Sequence, residues 1–218
     1  MVSHELKTPL TSTISYVQVS QARAKKHDDV LTAGMMDRAA KQLGKMTRMI
    51  NGFLNVSRLE SGKIHIDRQR FDMALLIKET EEETVVAITT HHVIFAPVKE
   101  TWVNADRDKI GQVINNLLSN AVKYSPLKST IRVACITVDG KAQVSVSDEG
   151  MGIRKEELPR LFERYYRARE GDYKHVAGFG IGLYLCSEII KRHEGTIWAE
   201  SELGKGSTFS FSIAVEGA

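Results

Sequence analysis

Met36, Ala39, Leu43, Met46, Ile50 and Phe53 recur alternately three and four residues apart. That alternation is the seam of a coiled coil or helical bundle, so the segment needs another helical surface to cover it. An earlier stretch places Leu6, Leu10, Ile14 and Val17 on one helical face. Lys26-His27-Asp28-Asp29 reads as the polar connection between the two helices, and Ser61-Gly62 as the C-terminal stop. Pro9 has no amide donor and is expected to kink the first helix. Two helices cannot enclose a core. The hairpin is therefore expected to pair with a second hairpin as a four-helix bundle in a homodimer. The alternative is a hairpin packed on its own neighbouring domain.

From about Gln69 the pattern changes. A short strand is expected at Phe71, a helix over 74–89, and strands over 93–95 and 101–103. Asp106 can cap a helix running to about Tyr124. Residues 130–138 and 142–148 read as a hairpin around Asp139-Gly140. A helix is expected over 182–193, then strands over 195–200 and 207–215 joined at Gly204-Lys205-Gly206. Pairing adjacent strands and segregating the helices gives a two-layer α/β sandwich. The fold class is thus α+β, with a helical hairpin over 1–66 and a sandwich over 67–218.

Composition narrows the partners. Apolar residues at 42% and charged residues at 26% are ordinary for a soluble globular chain. A net charge of +3 is too mild to point to nucleic acid or an anionic membrane. No apolar run approaches the ~20 residues that span a bilayer. Cys135 and Cys186 are far apart and lack metal-site spacing; Cys186, among Leu183, Leu185 and Ile189, reads as a buried free thiol, which suits a reducing compartment. A soluble cytoplasmic fragment is expected, without nucleic-acid or membrane contact of its own; a membrane anchor elsewhere in the parent protein stays open.

Three constellations carry chemistry. In Ser3-His4-Glu5-Leu6-Lys7-Thr8-Pro9-Leu10, a neutral imidazole can act as nucleophile, and the adjacent carboxylate can hold its tautomer and accept a proton. On the helix from Asp106, Lys109, Gln112, Asn116, Asn120 and Lys123 form a polar stripe opposite Ile110, Val113, Ile114, Leu117, Leu118, Ala121 and Val122. Most polar stripes are solvated faces. Asparagines four apart are unusual helix material, however, and their amide oxygens can complete a Mg²⁺ shell beside phosphates, with the lysine neutralising charge. Asp148 ends a strand in which Val144 and Val146 alternate with Ser145 and Ser147. Its carboxylate can accept from an adenine amino group, with Gly150 and Gly152 allowing a flat ligand close to the backbone; a plain turn is the alternative. Gly178, Gly180 and Gly182 precede an apolar helix whose free amides would attract phosphate. Neither the Rossmann glycine spacing nor a phosphate-loop Gly-Lys-Ser/Thr is present.

In this order, the motifs resemble the catalytic core of a bacterial two-component sensor histidine kinase. The resemblance covers essentially the whole chain. Residues 3–10 resemble the phosphoacceptor box, 116–125 the N box, 148–152 the first glycine box, 161–166 the phenylalanine box, 178–183 the second glycine box and 204–209 the last glycine motif. It implies a Bergerat-type ATPase fold and a set of roles. His4 would take the γ-phosphate of ATP, with Glu5 orienting and deprotonating the ring. Asn120 would bind Mg²⁺ with Asn116 nearby, and Lys123 and Tyr124 would contact phosphates or the nucleotide edge. Asp148 would read adenine. Arg164 and Tyr165 would flank a lid over Arg167 to Ala177. Gly150, Gly152, Gly178, Gly180, Gly182, Leu183 and Thr208 would complete the nucleotide site. The partner would be the receiver domain of a response regulator. Thr8, four residues after His4, implies phosphatase action by positioning water, the alternative being a cap on the proline kink. Lys7 stands where arginine is common, with no loss of chemistry expected.

Only Met1-Val2-Ser3 precede His4, so the chain is expected to be a fragment without its signal input and with a weakened dimer. Two other functions fit the residues less well. A gyrase- or chaperone-type hydrolytic ATPase needs a glutamate base where this chain has Asn116. A non-catalytic dimeric adaptor has no use for His4, Asn120 and Asp148.

Overall fold

The computed structural model describes residues 2–60, 65–167 and 180–217; the side chains of residues 2–7, 48, 49 and 51–60 lie outside that description. The chain forms two compact units, Met1–Lys63 and Ile64–Ala218. The sequence-based boundary lies after residue 66.

The first unit is a helical hairpin of α1 (Val2–Lys26) and α2 (Val30–Glu60). Helix α1 continues through Pro9. One turn further on, the Thr13 hydroxyl donates to the Pro9 carbonyl at 2.8 Å. The reversal falls at the expected polar connection. Asp28 takes a left-handed backbone with φ of 55°, and the Asp29 carboxylate caps α2 by accepting the Thr32 N–H at 3.0 Å. Leu10 and Ala24 are buried, while Ile14, Val17, Met36, Ala39, Leu43 and Ile50 are half-buried and Met46 is exposed. The seam is therefore only partly covered within one chain. Leu6 and Phe53 are among the side chains outside the description, as are residues 61 and 62, the expected helix stop.

The second unit contains β1 (Gln69–Asp72), α3 (Met73–Ala87), β2 (His92–Phe95), β3 (Trp102–Ala105), α4 (Arg107–Tyr124), β4 (Thr130–Val138), β5 (Lys141–Asp148), α5 (Gly182–Arg192), β6 (Thr196–Glu202) and β7 (Gly206–Ala214). The elements match the expected ones, but the pairing is less local. β1 pairs with β3, and the main sheet runs β2-β4-β5-β7-β6. Strands β2 and β4 are parallel, whereas β4–β5, β5–β7 and β6–β7 are antiparallel. Adjacent-strand pairing thus holds only for β4–β5 and β6–β7; the last strand inserts between β5 and β6.

Local chemistry explains the joints. Val138 pairs with Lys141, leaving Asp139 and Gly140 at φ of 48° and 70°, a two-residue turn whose twist suits a hairpin. The Asp72 carboxylate accepts N–H groups from Ala74 at 2.9 Å and Thr101 at 2.8 Å. It caps α3 and ties that helix to the start of β3. Asp106 caps α4 by accepting the Lys109 N–H at 3.1 Å.

The core lies between one sheet face and the helices. Val133, Val146 and Phe209 align across three strands, as do Cys135, Val144 and Phe211. Phe211, Ile131, Val133, Met73, Ile110, Ile114, Ile189 and Ile190 are fully enclosed. Each such side chain contributes roughly 1.5–3 kcal/mol of burial. Among the described residues, no helix is long and apolar enough to cross a membrane.

Candidate functional site

Helices α4 and α5 carry most of the site. Ile110, Val113, Ile114, Leu117, Leu118 and Ala121 bury one face of α4, and the 3.6-residue repeat turns Asn116, Asn120 and Lys123 to its half-buried flank. Asn116 Nδ2 donates to the Cys186 sulfur on α5 at 2.9 Å. Its Oδ1 lies against Gly182, where an added Cβ would sit 2.7 Å from it. A side chain at Gly182 would displace the Asn116 amide. The Asn120 side chain makes no hydrogen bond among the described residues. Its amide oxygen is a hard donor suited to Mg²⁺ alongside phosphate oxygens and water. Among the described residues no three His, Cys, Asp or Glu side chains converge. A metal ion here would therefore draw on amide, phosphate and water oxygens.

Asp148 closes the buried row Ala142, Val144, Val146 on β5. Burial pushes its carboxyl above the usual carboxylate range, against the Gly150 and Ser207 N–H groups and the Ser125 hydroxyl, which pull it down. The Gly150 N–H donates to Oδ1 at 2.8 Å. A Cβ on Gly150 would meet that oxygen at 2.5 Å and the Tyr124 carbonyl at 2.7 Å, so the turn after β5 sits on the end of α4. Gly152 has φ of +70°, and a Cβ there would approach the Glu202 carbonyl to 2.0 Å. The protein's own backbone demands these glycines, a constraint beyond ligand approach.

Lys123 Nζ donates to the Tyr124 hydroxyl at 3.2 Å and lies 4.7 Å from the ring centre. Arg164 donates to the Tyr165 hydroxyl at 2.7 Å and stacks 4.6 Å from that ring. The Tyr165 N–H donates to the Gly180 carbonyl at 2.9 Å. The chain thus leaves after Tyr165 and returns at Gly180 at one point, beside the start of α5. Leu183 is half-buried in the first turn of that helix. Gly178, and all of the expected lid except Arg167, lie outside the described residues.

The structure brings together Asn116 with Gly182, Tyr124 with Gly150 and Asp148, and Tyr165 with Gly180. It does not bring Thr208 to Asp148. Asp148 pairs with Ser207, and Thr208 faces the other side of the sheet, where its hydroxyl bonds the Ser147 hydroxyl at 2.9 Å. Ser207, one residue earlier, is the β7 side chain on the Asp148 face. Sequence reasoning missed it because strand register decides the face. In the hairpin, His4 and Glu5 lie in α1 with side chains outside the description. Thr8 is exposed.

Two other imidazoles are committed elsewhere. His193 is buried; its Nε2 accepts the Asp106 N–H at 2.9 Å and its Nδ1 faces the Ile189 carbonyl at 2.8 Å. Burial, followed by the neighbouring Arg68 charge, lowers its pKa, while the Ile189 bond and Asp106 raise it. His91 is also buried, with Nδ1 bonded to the Thr90 hydroxyl at 2.9 Å. Cys186 and Cys135 are free thiols, pushed up by burial to about 12 and about 11.

Comparison with known proteins agrees with this geometry. Residues 1–62 match the His Kinase A (phospho-acceptor) domain. Residues 105–217 match the histidine kinase-, DNA gyrase B-, and HSP90-like ATPase family. The chain is 37% identical, over 99% of its length, to the adaptive-response sensory kinase SasA of Synechococcus sp. (strain JA-3-3Ab), spanning 58% of that protein. It is 34% identical over 97% of its length to the sensor histidine kinase WalK of Bacillus subtilis (strain 168), spanning 35% of it. Its fold matches a crystal structure of full-length ShkA in complex with AMPPNP at a TM-score of 0.76 and 21% identity, covering 100% of this chain and 46% of that one. With a phospho-acceptor hairpin and a histidine kinase-like ATPase sandwich matched in turn, the chain belongs to the bacterial two-component sensor histidine kinases.

Proposed function

We propose that this chain is the catalytic portion of an ATP-dependent protein-histidine kinase. It moves the γ-phosphoryl group of ATP to His4, and then to an aspartate on a response-regulator receiver domain. The observation that carries the reading is the half-buried Asp148 carboxylate beside a site bounded by the amide-bearing flank of α4 and the glycine turn that opens α5. Such a carboxylate accepts from an adenine amino group, and the paired asparagines lie toward the phosphates.

The His4 ring nitrogen attacks the γ-phosphorus. The N–P bond forms as the bond from phosphorus to the β–γ bridging oxygen breaks, and ADP leaves with that electron pair. Glu5 holds the other ring nitrogen and takes its proton. Asn120 would hold Mg²⁺, with the Asn116 oxygen nearby; the ion would supply neutralisation of phosphate charge. Lys123 adds a positive charge, and Tyr124, Arg164 and Tyr165 line the edge. Ser207 joins Asp148 at the base. The half-covered seam of the hairpin supports a homodimer. Thr8, exposed on α1, orients water when the regulator's phosphate is removed.

Asn116 argues against a hydrolytic ATPase. A neutral amide cannot take a proton from water, and its N–H is already given to Cys186. Incubation with γ-labelled ATP tests the kinase reading. Acid-labile, base-stable label on the protein is expected. Release of free phosphate with no label on the chain would overturn it.

A further inference from the structure

Helices α4 and α5 are joined by polar contacts at two levels. At the nucleotide end Asn116 meets Cys186 and Gly182. At the other end the Asp106 N–H, at the head of α4, donates to His193 Nε2 just past the end of α5, at 2.9 Å. His193 Nδ1–H donates back to the Ile189 carbonyl at 2.8 Å. Both ring nitrogens are used and the ring is 5% exposed. This histidine is a joint; it has no nitrogen left for a ligand.

The same joint holds the chain that enters the second unit. Asp106 divides its carboxylate: Oδ1 takes the Lys109 N–H at 3.1 Å and Oδ2 takes the Asp67 N–H at 3.0 Å. The next residue, Arg68, donates to the Arg192 carbonyl and the Glu194 carboxylate, each at 2.9 Å. The residues that follow the acceptor hairpin are thus fastened to the α4–α5 pair at the end remote from Asn120. At 1.5 Å per residue, Asp106 lies about 21 Å along α4 from Asn120, and His193 about 16 Å along α5 from Gly182. Two rigid helices span the distance from linker to nucleotide site.

We propose that His193 and Asp106 are positioning residues for phosphoryl transfer. They fix where the chain that carries the acceptor histidine joins the two helices of the nucleotide site. The inference rests on the kinase reading and not on any one assignment within the nucleotide site. Loosening the joint slows transfer while ATP affinity stays unchanged, because small misplacements of reacting groups cost large factors in rate.

Asp106→Asn tests this with little disturbance. Asparagine remains a good helix cap, but its single oxygen cannot serve both Lys109 and Asp67. Arg68→Met cuts the surface attachments alone. His193→Gln keeps an acceptor for the Asp106 N–H, whereas His193→Ala removes it. Single-turnover phosphorylation of the full chain at saturating labelled ATP is compared with ATP affinity measured by calorimetry on the same proteins. Expected are rates about tenfold lower for Asp106→Asn and Arg68→Met, partial recovery in His193→Gln relative to His193→Ala, and ATP affinity within about twofold of the parent. Unchanged rates in Asp106→Asn and Arg68→Met would overturn the proposal even if His193→Ala fails to fold. A matching fall in ATP affinity would overturn it too, by placing the effect at the nucleotide site. Absence of label on the unsubstituted chain would instead overturn the kinase reading itself.

Discussion

The hairpin and the sandwich solve the problem of burial differently. In the sandwich, Phe211, Met73, Ile110 and Ile131 are wholly enclosed by residues of the same unit. In the hairpin only Leu10 and Ala24 are buried among the described side chains, while Leu31 is 77% and Met46 49% exposed. The sandwich therefore carries its own stability and can hold a costly half-buried carboxylate in its site. The hairpin keeps its acceptor helix on an open scaffold whose seam waits for another surface, which we assign to a second copy.

The sharpest way to break this contrast is to hollow out the self-sufficient unit. Phe211→Ala should cost about 3–5 kcal/mol and unfold the sandwich at lower denaturant, while helical signal from α1 and α2 persists. One cooperative transition for the whole chain would show that the units are not independent.

Asp148→Asn should have a smaller effect with two signs. The folded pKa lies above its ordinary value because burial disfavours the charge. That contribution favours the fold at low pH and is lost as pH rises through the folded value. Removing the charge should raise the melting temperature of the nucleotide-free chain at neutral pH. It should also weaken adenine-nucleotide binding by roughly tenfold or more, the loss of about one charged hydrogen bond. Unchanged nucleotide affinity by calorimetry would remove Asp148 from the adenine site.

The joint at His193 should give the sandwich a pH dependence of its own. Burial lowers the ring's pKa in the fold. Its stabilising contribution is present above the unfolded value of 6.5 and is lost as pH falls through the lowered one. Arg68 from the entering chain, Asp106 at the head of α4, and Arg192 and Glu194 beside it are the charged groups around this joint. Melting of the chain and of His193→Gln between pH 7.5 and 5 should show a shallower loss in the variant. Parallel curves would assign the acid sensitivity elsewhere.

Least affected in the isolated chain should be Met46→Ala, because Met46 is exposed there. In a dimer the same change would weaken association. Sedimentation over a dilution series should show a concentration-dependent dimer that dissociates at higher concentration in the variant. A monomer at every concentration would remove the dimer claim.

Much of this was legible in the sequence where local chemistry decides. Asp106 and Asp72 cap helices, Asp139-Gly140 turns a hairpin, and Val144 and Val146 alternate into the core. These features depend on neighbours along the chain. What stayed hidden depends on register and on long-range closure. Strand β7 inserts beside β5, and only that register tells Ser207 from Thr208 at the Asp148 end. The bonds from Asn116 to Cys186 and from Asp106 to His193 join residues far apart in the chain. Cys186 carries a local reading as a buried thiol that says nothing of the partner it meets, and the helical pattern that ends at His193 is equally silent about Asp106.

The division of labour between an open acceptor hairpin and a self-contained nucleotide unit is tested most directly with His4→Gln. Labelling by γ-labelled ATP and ATP affinity by calorimetry are measured on the same preparation. The account predicts complete loss of acid-labile label with ATP affinity unchanged. Acid-labile label persisting on the variant, or ATP affinity lost together with the label, would contradict it.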